Sequence, residues 1–271
     1  MSRDVGVFPL AWTDPSVLAR VPPDMNVLII FAHPEPRSFN GALKDVAVET
    51  LSKVGHDVVV SDLYGMGFYP ATGVGDFAGR RVDPGVLSIA AEQTQAVENG
   101  TLSPGIAEEQ KKILAADLVV FQFPMWWFSM PSILKGWVDR VFARGFAYLP
   151  GRKYDAGMLA GRRAMLSVTT GTSRDTYRAD GIDGDINDIL WPIHNGILRY
   201  TGFDVLPPFV AYMPGRISAE ERKAQLDAYR DHIGSFETMS PLFFHPLSDY
   251  GPDERLKPGI VARSGFQRTT E

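Results

Sequence analysis

Residues 26–40 read NVLIIFAHPEPRSFN, and the way this stretch is divided decides the fold. NVLIIFA (26–32) is a short unbroken apolar run, the pattern of a strand covered on both faces. The loop HPEPRS follows, and residues 39–54 then carry apolar spacing that suits a helix, with Gly55 able to end it. The same unit recurs outward along the chain. HDVVVSDL (56–63) gives a second strand, and a Gly-, Asp- and Pro-rich stretch (64–105) holds one helix around 86–97. A helix over 106–116 leads to a third strand, DLVVFQF (117–123), and a helix over 132–142. RAMLSVT (163–169) is a fourth strand, followed by a helix over 186–198, a fifth strand over 203–212 and a closing helix over 219–233. Strands alternating with helices through right-handed crossovers imply a parallel sheet covered on both sides. The expected organisation is one domain over 26–250, with an N-terminal extension (1–25) and a C-terminal tail (251–271) that wraps or is loosely ordered.

Composition narrows the chemistry. Of 271 residues, 45% are apolar and 22% charged, enough for a substantial core. A formal net charge of −5 with no Lys/Arg run argues against nucleic acid as a partner. There are no cysteines, which removes disulfides, thiol nucleophiles and cysteine-held metal centres, and fits a cytoplasmic protein. A redox reaction on this chain needs an organic cofactor, or a metal held by His and carboxylates. Pro9, Asp14, Pro15, Pro22 and Pro23 break up the N-terminus, so no signal peptide is expected. The greasiest region, 118–134, is interrupted by Gln122, Pro124, Ser129 and Pro131, so no membrane span is expected either.

In an open α/β sheet, ligands bind beyond the carboxyl ends of the strands. Three loops occupy those ends. The first, AHPEPRSFN, matches neither common Gly-rich phosphate fingerprint. Ser38 there either caps the helix or, with the helix N-terminus, helps receive an anion. The second, PMWWFSMPSILKGW, clusters Trp126, Trp127 and Phe128, which either support a flat conjugated ring or belong to the core. The third, TTGTSRDTYRADGIDGD, contains Gly171, which permits close backbone approach to a ligand. Tyr177 in it is either a proton donor or a partly exposed loop residue. Other chemistries fit poorly. Asp183, Asp185 and Asn187 open like a calcium loop, but Asp188 stands where Gly belongs and His194 where Glu does. The five histidines show no zinc spacing, and Ser173 lies outside a G-x-S-x-G elbow.

Taken in order, AHPEPRSFN, SDLYGMGFYP, LSPGIAEEQKKILAADLVVFQFPMWWF, MPSILKGWVDRVF with GFAY, LSVTTG and GDINDILWPIHNGILRYTGF resemble the NAD(P)H:quinone oxidoreductase family. That resemblance spans about residues 26–250 and implies a flavodoxin-like, doubly wound, five-stranded parallel sheet of order 2-1-3-4-5. It also implies a homodimer with tightly bound FAD that takes hydride from NADH or NADPH and passes two electrons to a quinone by a ping-pong scheme. The alternatives are an azo, nitro or quinone-methide acceptor, or a regulatory flavoprotein subunit of a transporter.

Site roles follow from the same resemblance. His33, Ser38, Phe39 and Asn40 match residues around the FAD pyrophosphate, and Pro124, Met125, Trp126, Trp127 and Phe128 match the loop along the isoalloxazine. Thr169, Thr170, Gly171 and Thr172 match the loop at the flavin's polar edge. Arg222 matches a basic residue at the adenine end. Tyr148 and Tyr200 match acceptor-pocket aromatics supplied across the dimer, with Trp127 and Phe128 facing the same acceptor, and Tyr177 matches the active-site tyrosine. The chain departs from the family at Trp126, where relatives often carry Gln, and at Asp183, where a histidine pairs with the tyrosine. Pro150 replaces a second interface tyrosine. Asn195 and Arg199 replace zinc-binding histidines, so no metal is expected. Asp183 then either stays protonated and serves Tyr177, turns outward to Arg174 or Arg178, or is only a turn residue.

Overall fold

The computed structural model describes residues 24–79 and 81–263. Most of the expected N-terminal extension and the last part of the expected tail therefore lie outside the described residues.

Four strands form where the apolar runs predict them: β1 (Asn26–Phe31), β2 (Asp57–Asp62), β3 (Leu118–Pro124) and β4 (Arg163–Thr170). All pair in parallel, and the path through the sheet runs β2-β1-β3-β4-β5, the expected order. The fifth position differs from the single strand expected over 203–212. It holds two short strands, β5 (Asp204–Val205) and β6 (Phe209–Tyr212), both paired with β4, which makes the sheet six-stranded. Pro207 and Pro208 lie between them and have no N–H to donate, so the ladder lapses there and resumes at Phe209.

Helices α1 (Phe39–Lys53) and α6 (Ala219–Gly234) cover one face. Their core partners on the sheet are Val27, Ile29, Leu118, Val120 and Met165. Helices α2 (Ile89–Asn99) and α3 (Pro104–Ala115) fall between β2 and β3, and α4 (Ser132–Val141) and α5 (Ile186–Ile193) come later. The second face, built on Leu28, Ile30, Val119, Phe121, Phe123, Leu166 and Val168, packs against residues of α3, α4 and α5. Glu109 of α3 ties this side together from a fully buried position. Its carboxylate receives Ser61 Oγ at 3.0 Å, Lys112 Nζ at 2.6 Å and Trp137 Nε1 at 2.9 Å, so one buried charge joins β2, α3 and α4.

The helix expected over 186–198 changes character midway. Pro192 sits in α5, and residues His194–Arg199 continue as a π-helix that closes at Tyr200. Arg199, buried there, donates to Asn195 Oδ1 at 3.1 Å and to the His245 carbonyl, and stacks on Tyr154 and Phe244. The segment after α6 is thereby held across the body. Leu242 N–H donates to the Val205 carbonyl at 2.7 Å, and Arg263 N–H donates to His245 Nε2 at 3.1 Å. Among the described residues no helix is long and apolar enough to cross a membrane.

His194 begins the π-helix, and burial holds its imidazole down to about 4, against 6.5 for the free side chain. Between those two values the unfolded chain takes a proton that the folded chain refuses. Stability is therefore full above about pH 6.5, falls as the pH drops towards 4, and levels off below. The full window corresponds to about 3 kcal/mol. His194→Phe should flatten this acid-side loss, as read from urea midpoints at neutral pH and near pH 4.5. An unchanged difference between the two pH values would remove His194 as its source.

Candidate active site

The strand ends β1, β3, β4 and β6 all open on one side of the sheet. There a cleft of about 680 Å³ is lined by His33, Ser38, Phe39, Asn40, Pro124, Thr169 and Arg222, together with Arg37, Gly215 and Lys223. Seven residues singled out in the sequence thus meet in one place. Apart from Arg222, the wall formed by residues 214–226 was not anticipated. The Pro214–Gly215 pair at the end of the last strand was its signal, by the same strand-end rule applied to the other loops.

Ser38 turns out to cap α1, its Oγ accepting Gly41 N–H at 3.2 Å. Capping leaves anion reception open as well, because the capped helix N-terminus borders the cleft through Ser38, Phe39 and Asn40. The loop before it is held tightly. Glu35 N–H donates to His33 Nδ1 at 3.0 Å, and a Cβ at Gly41 would stand 1.8 Å from the Pro36 carbonyl oxygen. Only glycine fits there. Arg37 pairs with Glu35 at 3.0 Å, and its hydrogen bond draws that carboxyl down to about 2. Arg222 reaches the cleft mainly as a builder, donating Nη1 to the Ile217 carbonyl at 2.6 Å and shaping the 214–217 turn.

The aromatic cluster at the end of β3 is surface, not core. Trp126 and Ser129 exchange both backbone hydrogen bonds at 3.0 Å, leaving Trp127 and Phe128 as a two-residue turn with φ of 52° and 57°. Positive φ at both central positions is the turn geometry that Asn-Gly adopts easily. In an aromatic pair it costs roughly 1–2 kcal/mol at each residue. Yet Trp127 is 96% exposed and Phe128 52%, so burial does not offset the strain. Trp126, 42% exposed, has its ring 6.4 Å from His33 and joins this turn to the cleft. Met125 N–H donates to the Thr169 carbonyl at 2.8 Å, which fixes the turn to the end of β4.

The third loop is ordered by its own hydroxyls. Thr170 Oγ1 donates to the Thr172 carbonyl at 2.9 Å, and Thr172 Oγ1 lies 2.9 Å from Thr176 Oγ1 and donates to Asp183 Oδ2 at 3.4 Å. Gly171 stands apart from these contacts, since a Cβ built on it meets no atom within 4 Å. Tyr177 is only 9% exposed and packs into the core 6.0 Å from the Tyr212 ring, which rules out the exposed-loop alternative. Burial raises the Tyr212 phenol, with Arg174 opposing. Asp183 is half-buried and bonded to Thr172, and among the described residues no hydrogen bond joins it to Tyr177, Arg174 or Arg178. Arg178 pairs instead with Asp180 at 3.3 Å.

Tyr148 and Tyr200 come together, ring centres 5.7 Å apart, with Tyr154 5.3 Å beyond. They do not join the cleft. Tyr148 lines a different cavity of about 320 Å³ with Phe142, Ile197 and Thr201, which shares no residue with it. Among the described residues no group of three or more His, Asp or Glu side chains is placed to hold a metal ion.

Comparison with known proteins adds to this geometry. A family model described as a flavodoxin-like fold matches residues 25–234. The chain is 47% identical over 221 residues to ribosyldihydronicotinamide dehydrogenase (quinone) of Mus musculus, covering 81% of this chain and 95% of that one. It is 45% identical over 240 residues to NAD(P)H dehydrogenase (quinone) 1 of Rattus norvegicus, covering 89% and 87%. A chain from Klebsiella pneumoniae, solved as a candidate quinone reductase, superimposes with a TM-score of 0.85 at 42% identity, over 90% of this chain and 98% of that one.

The strain in the aromatic turn is measurable. Replacing it with Trp127→Asn and Phe128→Gly together should raise the melting temperature by several degrees, because the new pair adopts the same φ values without penalty. Calorimetry checks this, and a melting temperature that falls would mean the exposed rings stabilise the fold.

Proposed function

The chain belongs to the NAD(P)H quinone dehydrogenase family of flavodoxin-like oxidoreductases, and on that premise we propose that it is an FAD-dependent two-electron reductase of quinones. The observation that carries this reading is the strained, exposed Trp127–Phe128 turn beside a helix N-terminus cleft. A fold keeps two aromatic side chains in such a conformation where their faces are needed for something flat. Gly171 adds support, since its missing Cβ leaves space at the end of β4 where a ring edge can approach.

The residues then divide as follows. The α1 N-terminus with His33, Ser38, Phe39 and Asn40 receives the phosphates, and Arg222 with the 214–217 turn bounds the adenine end. Pro124, Met125, Trp126, Trp127 and Phe128 lie along the ring, with Thr169, Thr170, Gly171 and Thr172 at its polar edge. When bound, the flavin supplies hydride acceptance from a dihydronicotinamide and two-electron return to the quinone, in two half-reactions that use one pocket in turn. Tyr177 offers a buried phenol O–H for proton donation. Asp183 acts through Thr172, keeping the 170–172 loop in place, and is a positioning residue in this reading. The names of the relatives divide between NAD(P)H and ribosyldihydronicotinamide as donor, so either class of dihydronicotinamide fits this chain.

Purified protein should release FAD on acid treatment and oxidise NADH, NADPH or dihydronicotinamide riboside with a simple benzoquinone. Stoichiometric FMN in place of FAD would overturn the cofactor assignment. Flavin-loaded protein that reduces no quinone with any of the three donors would overturn the reaction.

The paired Tyr148 and Tyr200, neither of which lines its own chain's cleft, are read as contributions to the site of a second copy. The homodimer should bury more than about 2,000 Å² in total. Light scattering should give a dimer, and Tyr148→Ala should raise KM for the quinone while flavin content stays constant. A fully active monomer would exclude that arrangement.

A further inference from the structure

On the face shared with α1 and α6, the sheet is apolar until the strand ends and then turns polar. Leu118 and Val120 of β3 give way to Gln122, and Met165 of β4 gives way to Ser167 and Thr169. Three of these buried groups form a directed chain. Gln122 Nε2 donates to Asn40 Oδ1 at 2.8 Å, and Asn40 Nδ2 donates to Thr169 Oγ1 at 2.8 Å. Gln122 is fully buried, Asn40 is 3% exposed and Thr169 6%. Asn40 and Thr169 both line the cleft, whereas Gln122 lies behind them and does not.

A hydroxyl that accepts an amide N–H must send its own proton elsewhere. Among the described residues none accepts the Thr169 proton. The other hydroxyls of this loop are already engaged, Thr170 with the Thr172 carbonyl and Thr172 with Thr176 and Asp183. The Thr169 carbonyl is taken too, by Met125 N–H at 2.8 Å.

We infer that Gln122 is a positioning residue which, through Asn40, sets Thr169 as a hydrogen-bond donor towards an acceptor atom of the bound flavin. The inference rests on the flavin reading above. Gln122 determines the direction because an amide donor on Asn40 Oδ1 is what keeps Nδ2 facing Thr169. An acceptor in its place turns the Asn40 amide over, so that Oδ1 takes the Thr169 proton and the cleft loses its donor. Fixed direction in a buried chain is worth most where no water can substitute.

The test follows flavin release from the purified holoprotein, read as recovery of free-flavin fluorescence on dilution, at about pH 9 and about pH 6. Ionised, the introduced carboxylate of Gln122→Glu only accepts, and release should be about tenfold faster than in wild type, as in Thr169→Val. Burial raises the carboxyl pKa, so it is protonated at the lower pH and donates to Asn40 Oδ1 again. Release from Gln122→Glu should then return to the wild-type rate, while Thr169→Val stays fast at both pH values. The double variant should match Thr169→Val alone. If Gln122→Glu does not accumulate, Gln122→Met carries the same test: faster release, with no further increase on adding Thr169→Val. Equal release from wild type and Gln122→Glu at both pH values, or additive effects in the double variant, would overturn the relay while leaving the flavin reading intact. Wild-type protein that holds no flavin would overturn both.

Discussion

The position of β1 between β2 and β3 constrains the rest of the molecule. The chain leaving β1 enters α1 on one face of the sheet, while the chain leaving β3 enters α4 on the other. Two loops that start side by side must therefore part, and the gap between them is a crevice that no side chain can close. The Met125–Thr169 hydrogen bond and the Gly41–Pro36 contact hold its two edges at a fixed separation. The cleft is thus a consequence of strand order, and the residues around it only decide what it accepts.

The same constraint explains which parts of the fold were legible in the sequence. A strand covered on both faces has to be apolar throughout, so β1, β3 and β4 could be read to within about one residue. The half-buried edge strand β2 showed in its run of valines, and the strand order came from the family resemblance. What the sequence hid was local geometry that tertiary contacts impose. Pro207 and Pro208 were visible, yet a run of apolar residues from Phe203 to Tyr212 reads as one strand until the ladder on β4 is seen to lapse. The switch of His194–Arg199 to a π-helix leaves no trace in periodicity, because the buried His194 and Leu198 stand four apart as they would in an α-helix. Trp126, Trp127 and Phe128 read as core or as ligand support with equal ease, and only the left-handed turn separates the two. From its own loop Tyr177 read as a proton donor or as a partly exposed loop residue, because its burial comes from Tyr212 and the apolar face under α3, α4 and α5, far away in sequence. Gln122 was invisible as part of the site, since one polar residue in a buried strand carries no periodic signal.

Two kinds of buried polarity coexist here, and they behave differently. Glu109 is saturated, with three donors closing on one carboxylate, and it fixes elements that do not touch the cleft. Among the described residues the Gln122–Asn40–Thr169 chain is unfinished at both ends, with Gln122 Oε1 lacking a partner and the Thr169 proton lacking an acceptor. A saturated network stiffens a scaffold, whereas an unfinished one has a direction and an outlet. The strained aromatic turn belongs with the second kind, as a conformation held by the two hydrogen bonds at its base rather than by its own packing.

The strap after α6 has a consequence for how the molecule is made. Its anchors are the Val205 carbonyl, the Arg199 guanidinium and the Asp155 carboxylate, which accepts Leu247 N–H, and all of these belong to segments synthesised earlier. Synthesis proceeds from the N-terminus and folding follows it, so the sheet and both of its helical layers can assemble while residues 242–263 are still to emerge. Arg199 meanwhile waits without the His245 carbonyl. Docking of residues 242–263 then supplies that acceptor and closes a site that the earlier segments leave open.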